Sequence, residues 1–172
     1  MRMYPANQLI GEMNRIGVNF VVGETIPGVT NPLSPIELMA GLAAHKDARI
    51  RLALIPVLLK HPEYATEATE VLEMLDDSRK ITFKLYYTAA YLLQLAYDDE
   101  LLGLVETYQD IQDYYSEEFN VSEEGTAQDR LRQLAMMHKK ITKLSVNWCG
   151  TYHHAAKRIL TRMKREREWA KV

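Results

Sequence analysis

The sequence holds a single cysteine in 172 residues. That excludes an internal disulfide and a cysteine-built zinc cage, and it fits a reducing compartment. Glycine (8) and proline (6) are sparse, so little of the chain is marked for tight turns. No apolar run approaches the roughly 18 residues that a membrane span needs. The opening MRMYPANQLIGEMNRIG lacks the apolar segment of a secretion signal. A cytoplasmic chain without a membrane partner is therefore expected, and the sequon Asn120-Val121-Ser122 carries no meaning there. Phosphate-binding glycine loops, the GxSxG elbow, the dinucleotide fingerprint, HExxH and Glu-x-x-His are all missing. The common nucleotide enzymes and metal hydrolases lose their main support, and neither a cofactor nor a metal is expected.

One absence is regional. From Leu85 to Asp129 there are eleven acidic residues and no lysine or arginine. From Arg130 to Val172 there are twelve lysines and arginines against Glu166 and Glu168. The net charge is only −2, so the asymmetry is internal. It implies either an ionic partner or two halves that face each other within the fold.

What is present is mostly helix former, and the reading is all-α: a compact bundle of seven or eight helices in one domain, residues 1–172. Residues 1–33 form a helix over PANQLIGEMNRIG and an irregular arm, VVGETIPGVTNPL; VNFVV is too short for a convincing strand. Residues 34–97 form helical hairpins. Ser34-Pro35-Ile36-Glu37 is a capping box with proline at the first helical position. Asp47 caps the next helix, which Pro56 should kink because its ring removes a backbone bond. Pro62 opens a third helix, and Asp76-Asp77-Ser78 caps a long one ending near Tyr97. Residues 98–172 supply three longer amphipathic helices, over 98–119, from the Thr126/Asp129 capping box to about Lys143, and from Asn147 to about Trp169.

The stretch Leu42–Arg49 is echoed thirty positions on by Leu72–Arg79. Each copy has an apolar helix end, an aspartate at the turn and a basic residue opening the next helix. Over residues 33–96 this resembles HEAT-type helical pairs, and the resemblance implies a protein-binding surface rather than chemistry.

Four constellations can carry function. Glu106, Asp110, Asp113 and Glu117 follow steps of four, three and four, which stacks four carboxylates along one helix face. Such a stripe is a solvated face or a docking strip for lysine and arginine, with a divalent-cation or catalytic-carboxylate site as the alternative. His154, Arg158, Arg162 and Arg165 recur by similar steps and form a basic ridge on the last helix. The ridge can hold phosphates, or pair with the acidic stripe in this molecule or a partner. The segment NWCGTYHHAAKR contains Cys149 and His153, but its stripe Trp148, Tyr152, Ala155, Ile159, Met163 faces a core. Cys149 is a small buried residue by that reading, not a nucleophile. Finally, Arg132 and His138 fit an Arg-x4–6-His pattern. That seven-residue motif resembles the HEPN family of small all-α proteins, some of them metal-independent ribonucleases. The resemblance implies that Arg132 and His138 act on RNA at a dimer interface. A regular helix sets them about 120° apart, and His138 falls on the apolar stripe Leu131, Leu134, Ala135, Ile141. The sequence thus favours a non-catalytic helical adaptor with a protein partner, with homo-oligomers allowed. An RNA-binding or RNA-cleaving protein is the alternative.

Overall fold

The computed structural model describes residues 2–23 and 32–171, and among these residues the fold is all helical with no strand. Residues 24–31, most of the irregular arm expected from the sequence, lie outside the described residues. Val18 and Phe20, in the short stretch weighed as a strand, are instead buried in irregular backbone.

Helix α1 spans Ala6–Arg15 and α2 spans Pro35–Ala44. The capping box at α2 is reciprocal: Glu37 N–H donates to Ser34 Oγ at 3.1 Å, and Ser34 N–H donates to the Glu37 carboxylate at 2.8 Å. Leu38 to Ala44 are all buried, so α2 runs through the interior. Asp47 then caps α3 (Ala48–Leu52), which is separated from α4 (Leu54–Lys60) at Ala53. Pro56 has no N–H for the Leu52 carbonyl, which accounts for the break. Pro62–Glu67 is a 3-10 turn, leading into α5 (Ala68–Glu73). Asp76 caps α6 (Asp77–Ala96), the central helix, which packs chiefly on α4 and α8. Helix α8 covers Ala127–Thr142 and α9 covers Trp148–Ala170, with Thr126 and Asn147 as their caps. The buried side chains form one continuous core across these elements. No helix among the described residues is long and apolar enough to cross a membrane.

One expected helix is largely absent. Instead of running over 98–119, α7 covers only Asp98–Leu102, and a 3-10 turn follows at Glu117–Phe119. Between them the chain is irregular yet anchored, with Val105, Ile111 and Tyr115 buried. Three side chains hold it. Gln94, 3% exposed on α6, donates to the Gln109 carbonyl at 2.8 Å and accepts from Ile111 N–H at 2.8 Å. Tyr87 donates its hydroxyl to the Gln112 carbonyl at 2.9 Å. Arg130, buried on α8, bonds the Ser122 carbonyl at 2.7 Å and the Asp113 carboxylate at 3.2 Å. Backbone groups that a helix would have paired internally are paired with these side chains instead.

Candidate functional site

The acidic stripe does not exist as a surface. With the helix gone, Glu106 and Asp110 sit exposed on the irregular segment and Glu117 opens the 3-10 turn. Asp113 is the counterion of buried Arg130, and its other oxygen accepts from Ser116 N–H at 3.1 Å. The four carboxylates therefore share no helix face.

The basic ridge lies on α9, but half of it is used internally. Arg158 donates to the Phe20 carbonyl at 2.8 Å and lays its guanidinium 4.4 Å from the Phe20 ring centroid. Arg162 pairs with Glu166 at 2.9 Å on the next turn. Only His154 and Arg165 of the four are exposed and without a hydrogen-bonded partner among the described residues. Contact between α9 and the acidic region comes from other residues: Lys164 meets Glu100 at 2.6 Å, and Arg167 donates to the Gly103 carbonyl.

At the start of α9, His153 ties three helices together. Its Nδ1 meets the Tyr97 hydroxyl at 2.8 Å and its Nε2 meets Gln128 Oε1. Since an amide oxygen only accepts, Nε2 carries the proton and Nδ1 accepts from tyrosine. Both nitrogens are thus occupied, and burial lowers the His153 pKa. It has no free nitrogen to act as base for Cys149, whose thiol meets the Gln128 amide at 3.6 Å. Among the described residues no group of three His, Cys, Asp or Glu side chains is disposed to hold a metal.

Arg132 and His138 diverge as their helical spacing requires. Arg132 is an exposed side chain, paired with Asp129 one turn back at 3.5 Å. His138 is 3% exposed. Its ring stacks on Trp148 with centroids 3.5 Å apart and meets the edge of Tyr86 at 5.4 Å. Burial, with nearby Arg51 adding to it, pushes its pKa down to about 3, so the imidazole is neutral at ordinary pH. Its Nδ1 lies 2.6 Å from the Tyr152 hydroxyl.

His138 instead borders a cleft of about 1090 Å³ between the α2–α3 corner, the first half of α6 and the end of α8. Ala43, Ala44, Leu85, Tyr86, His138 and Trp148 form its buried floor. The walls carry large apolar side chains left partly in water: Met3 (53% exposed), Ile81 (38%), Ile141 (40%) and Leu144 (53%). Lys46, Arg51 and Arg79 border it. Arg51 is fixed by its own chain, with Nη1 donating at 2.8 Å to both the His45 and the Lys46 carbonyls. Nothing in the helical periodicity pointed to this cleft. Ile141 lies on the apolar stripe of α8 yet is 40% exposed in the last turn, just before Lys143 ends that helix in left-handed conformation (φ 58°). The sequence signal was the short run KKITKLSV, which mixes lysines with apolar residues, of which Ile141, Leu144 and Val146 are exposed.

No family model matches the chain, and no curated protein or solved structure matches it.

Proposed function

We propose that the protein is a non-catalytic helical adaptor that docks a segment of a partner protein in the cleft between α2, α6 and α8. The observation that carries this reading is the convergence of Met3, Ile81, Ile141 and Leu144, all partly exposed, on one apolar floor. Single exposed apolar residues are ordinary; a contiguous set lining a concavity marks an interaction site. Open grooves between helices receive amphipathic segments through alternate apolar anchors. The HEAT-like reading of residues 33–96 agrees with this. Asp47 and Asp76 each cap the following helix and pair with its arginine, Arg49 at 2.9 Å and Arg79 at 3.1 Å.

The ribonuclease reading needs Arg132 and His138 together, and exposed Arg132 and buried His138 weigh against it. One preparation tests both. Cross-linked capture of partners by the wild type is compared with Ile141→Glu/Leu144→Glu and with Arg165→Glu. A discrete partner lost only in the cleft variant is the expected result. Capture unaffected by the cleft variant, or RNA cleavage abolished by Arg132→Ala, overturns the adaptor.

A further inference from the structure

The charges around the cleft are one-sided. Asp47 lines it but is neutralised by Arg49, and Arg79 is neutralised by Asp76. Lys46 and Arg51 are in no ion pair among the described residues, and Arg51 donates to backbone carbonyls. Lys139, Lys140 and Lys143, neighbours in sequence of the lining residues His138, Ile141, Thr142 and Leu144, are exposed, and none is in an ion pair among the described residues. The hydroxyls of Ser78, Thr82 and Thr142 donate within the protein, to the Asp76 carboxylate and to the Ser78 and His138 carbonyls.

The floor adds a further donor. The Tyr152 side chain is fully buried, and His138 Nδ1 is the partner of its hydroxyl at 2.6 Å. The hydroxyl has no other acceptor among the described residues, so its one hydrogen goes to Nδ1 and the ring proton sits on Nε2. No hydrogen bond from that nitrogen is found among the described residues, and His138 borders the cleft beside Tyr86 and Arg51. The cleft therefore offers cations and a neutral N–H donor against an apolar floor, and no free carboxylate.

We infer that the occupant is an amphipathic helical segment with an acidic edge, its apolar side chains on the floor and its carboxylates facing Arg51 and Lys46. This rests on the reading of the cleft as a docking groove. The dimensions suit a helix of about two turns in contact: from Ser78 to Tyr86 the α6 wall runs about 12 Å. A carboxylate at Arg51 finds a guanidinium already held by two carbonyls, so little rotamer entropy is lost on binding.

The probe is a fluorescein-labelled peptide of leucine and glutamate, about 18 residues or roughly five turns long, with leucines spaced three and four apart. Its counterpart carries glutamine for every glutamate. Fluorescence anisotropy at low and moderate salt measures both. The expected result is binding of the acidic peptide about tenfold tighter than its counterpart, weakening with salt. Arg51→Gln should erase most of that preference. Because Arg51 also holds two carbonyls, Lys46→Glu, on an exposed side chain, is the paired variant, and circular dichroism checks the fold of each. A preference retained in both variants overturns the inference. Equal binding of the two peptides, both lost in Ile141→Glu/Leu144→Glu, also overturns it while leaving the docking groove intact. Binding of neither peptide overturns it as well, and the groove is then decided by partner capture alone. Binding of dodecanoate with the same Arg51 dependence, and of neither peptide, assigns the cleft to a small amphiphile instead.

Discussion

Replacing Gln94 by leucine should release the irregular segment that stands where a helix was expected. Gln94 is almost wholly buried, and both ends of its amide are used, one on the Gln109 carbonyl and one on Ile111 N–H, each at 2.8 Å. Leucine fills nearly the same volume and restores neither bond. Ile111 is 2% exposed, so its orphaned N–H bears the full cost of an unpaired buried group, about 1–3 kcal/mol. The half-buried Gln109 carbonyl regains water in part and adds about 1 kcal/mol or less. Against this, the added apolar surface returns about 1 kcal/mol at most. A net loss of about 2 kcal/mol is expected from urea unfolding, a large share of the ~5–15 kcal/mol that holds a domain. Amide exchange locates the effect, since Ile111 N–H should lose protection while the centre of α6 keeps it. A loss below about 0.5 kcal/mol with Ile111 protection unchanged refutes the idea that Gln94 sets this segment's conformation.

Arg130→Met should cost about 2–4 kcal/mol, because it strands the Ser122 carbonyl and the Asp113 carboxylate together; denaturant midpoints measure it, and a change under about 1 kcal/mol counts against the clip. His138 makes stability pH-dependent in a definite direction. Its folded pKa, about 3, lies below its ordinary value of about 6.5, so its stabilising effect is present above the unfolded value and is lost as pH falls below it. Between pH 7 and 5 this amounts to about 2 kcal/mol, and His45 and His153, both lowered by burial, act in the same sense. Unfolding at the two pH values should show the loss in the wild type and most of it gone in His138→Phe; equal slopes refute the assignment. Asp47→Ala and Asp76→Ala should each lower stability by about 1 kcal/mol as lost caps, measured by thermal unfolding.

How far the sequence spoke for itself depended on distance along the chain. The capping boxes at Ser34 and Thr126, the turn aspartates and the Pro56 break lie within four residues of what they control, and each was readable. Over 98–119 the period predicts a helix, and the structure differs because the partners of that segment are remote in sequence. Leu101, Val105, Ile111 and Tyr115 are buried as a helix stripe would bury them, but on a backbone held by Gln94 and Arg130. A warning was present: Glu106 with Asp110, and Asp113 with Glu117, are like charges four apart with no cation between them, which disfavours the helix. The basic ridge was placed on the correct helix, yet its use was not legible. Arg158 answers to Phe20, 138 positions away. The cleft was least visible, because an unfilled volume is set by how far α1, α2, α6 and α8 approach one another.

The charge asymmetry of the two halves is only partly discharged inside the molecule. Arg130 takes Asp113 and Lys164 takes Glu100, while exposed Glu123 and Glu124 face no cation among the described residues and Lys139, Lys140 and Lys143 face no carboxylate. Were the asymmetry simply the internal complement of two packed halves, those remainders should lie opposite one another. They do not pair, and the unpaired lysines gather at the end of α8, beside Ile141 and Leu144. Each feature alone has a structural account: solvated lysines are common, and Met136 (74% exposed) and Trp169 (61%) show that an apolar side chain in water needs no ligand. Their coincidence with an open volume and a fixed, carboxylate-free arginine has no such account. Like-signed charge left uncompensated around a concave apolar surface raises the local concentration of an oppositely charged partner and speeds its encounter. That physical effect, rather than any single residue, is what the proposed docking role draws from the fold's unbalanced charge.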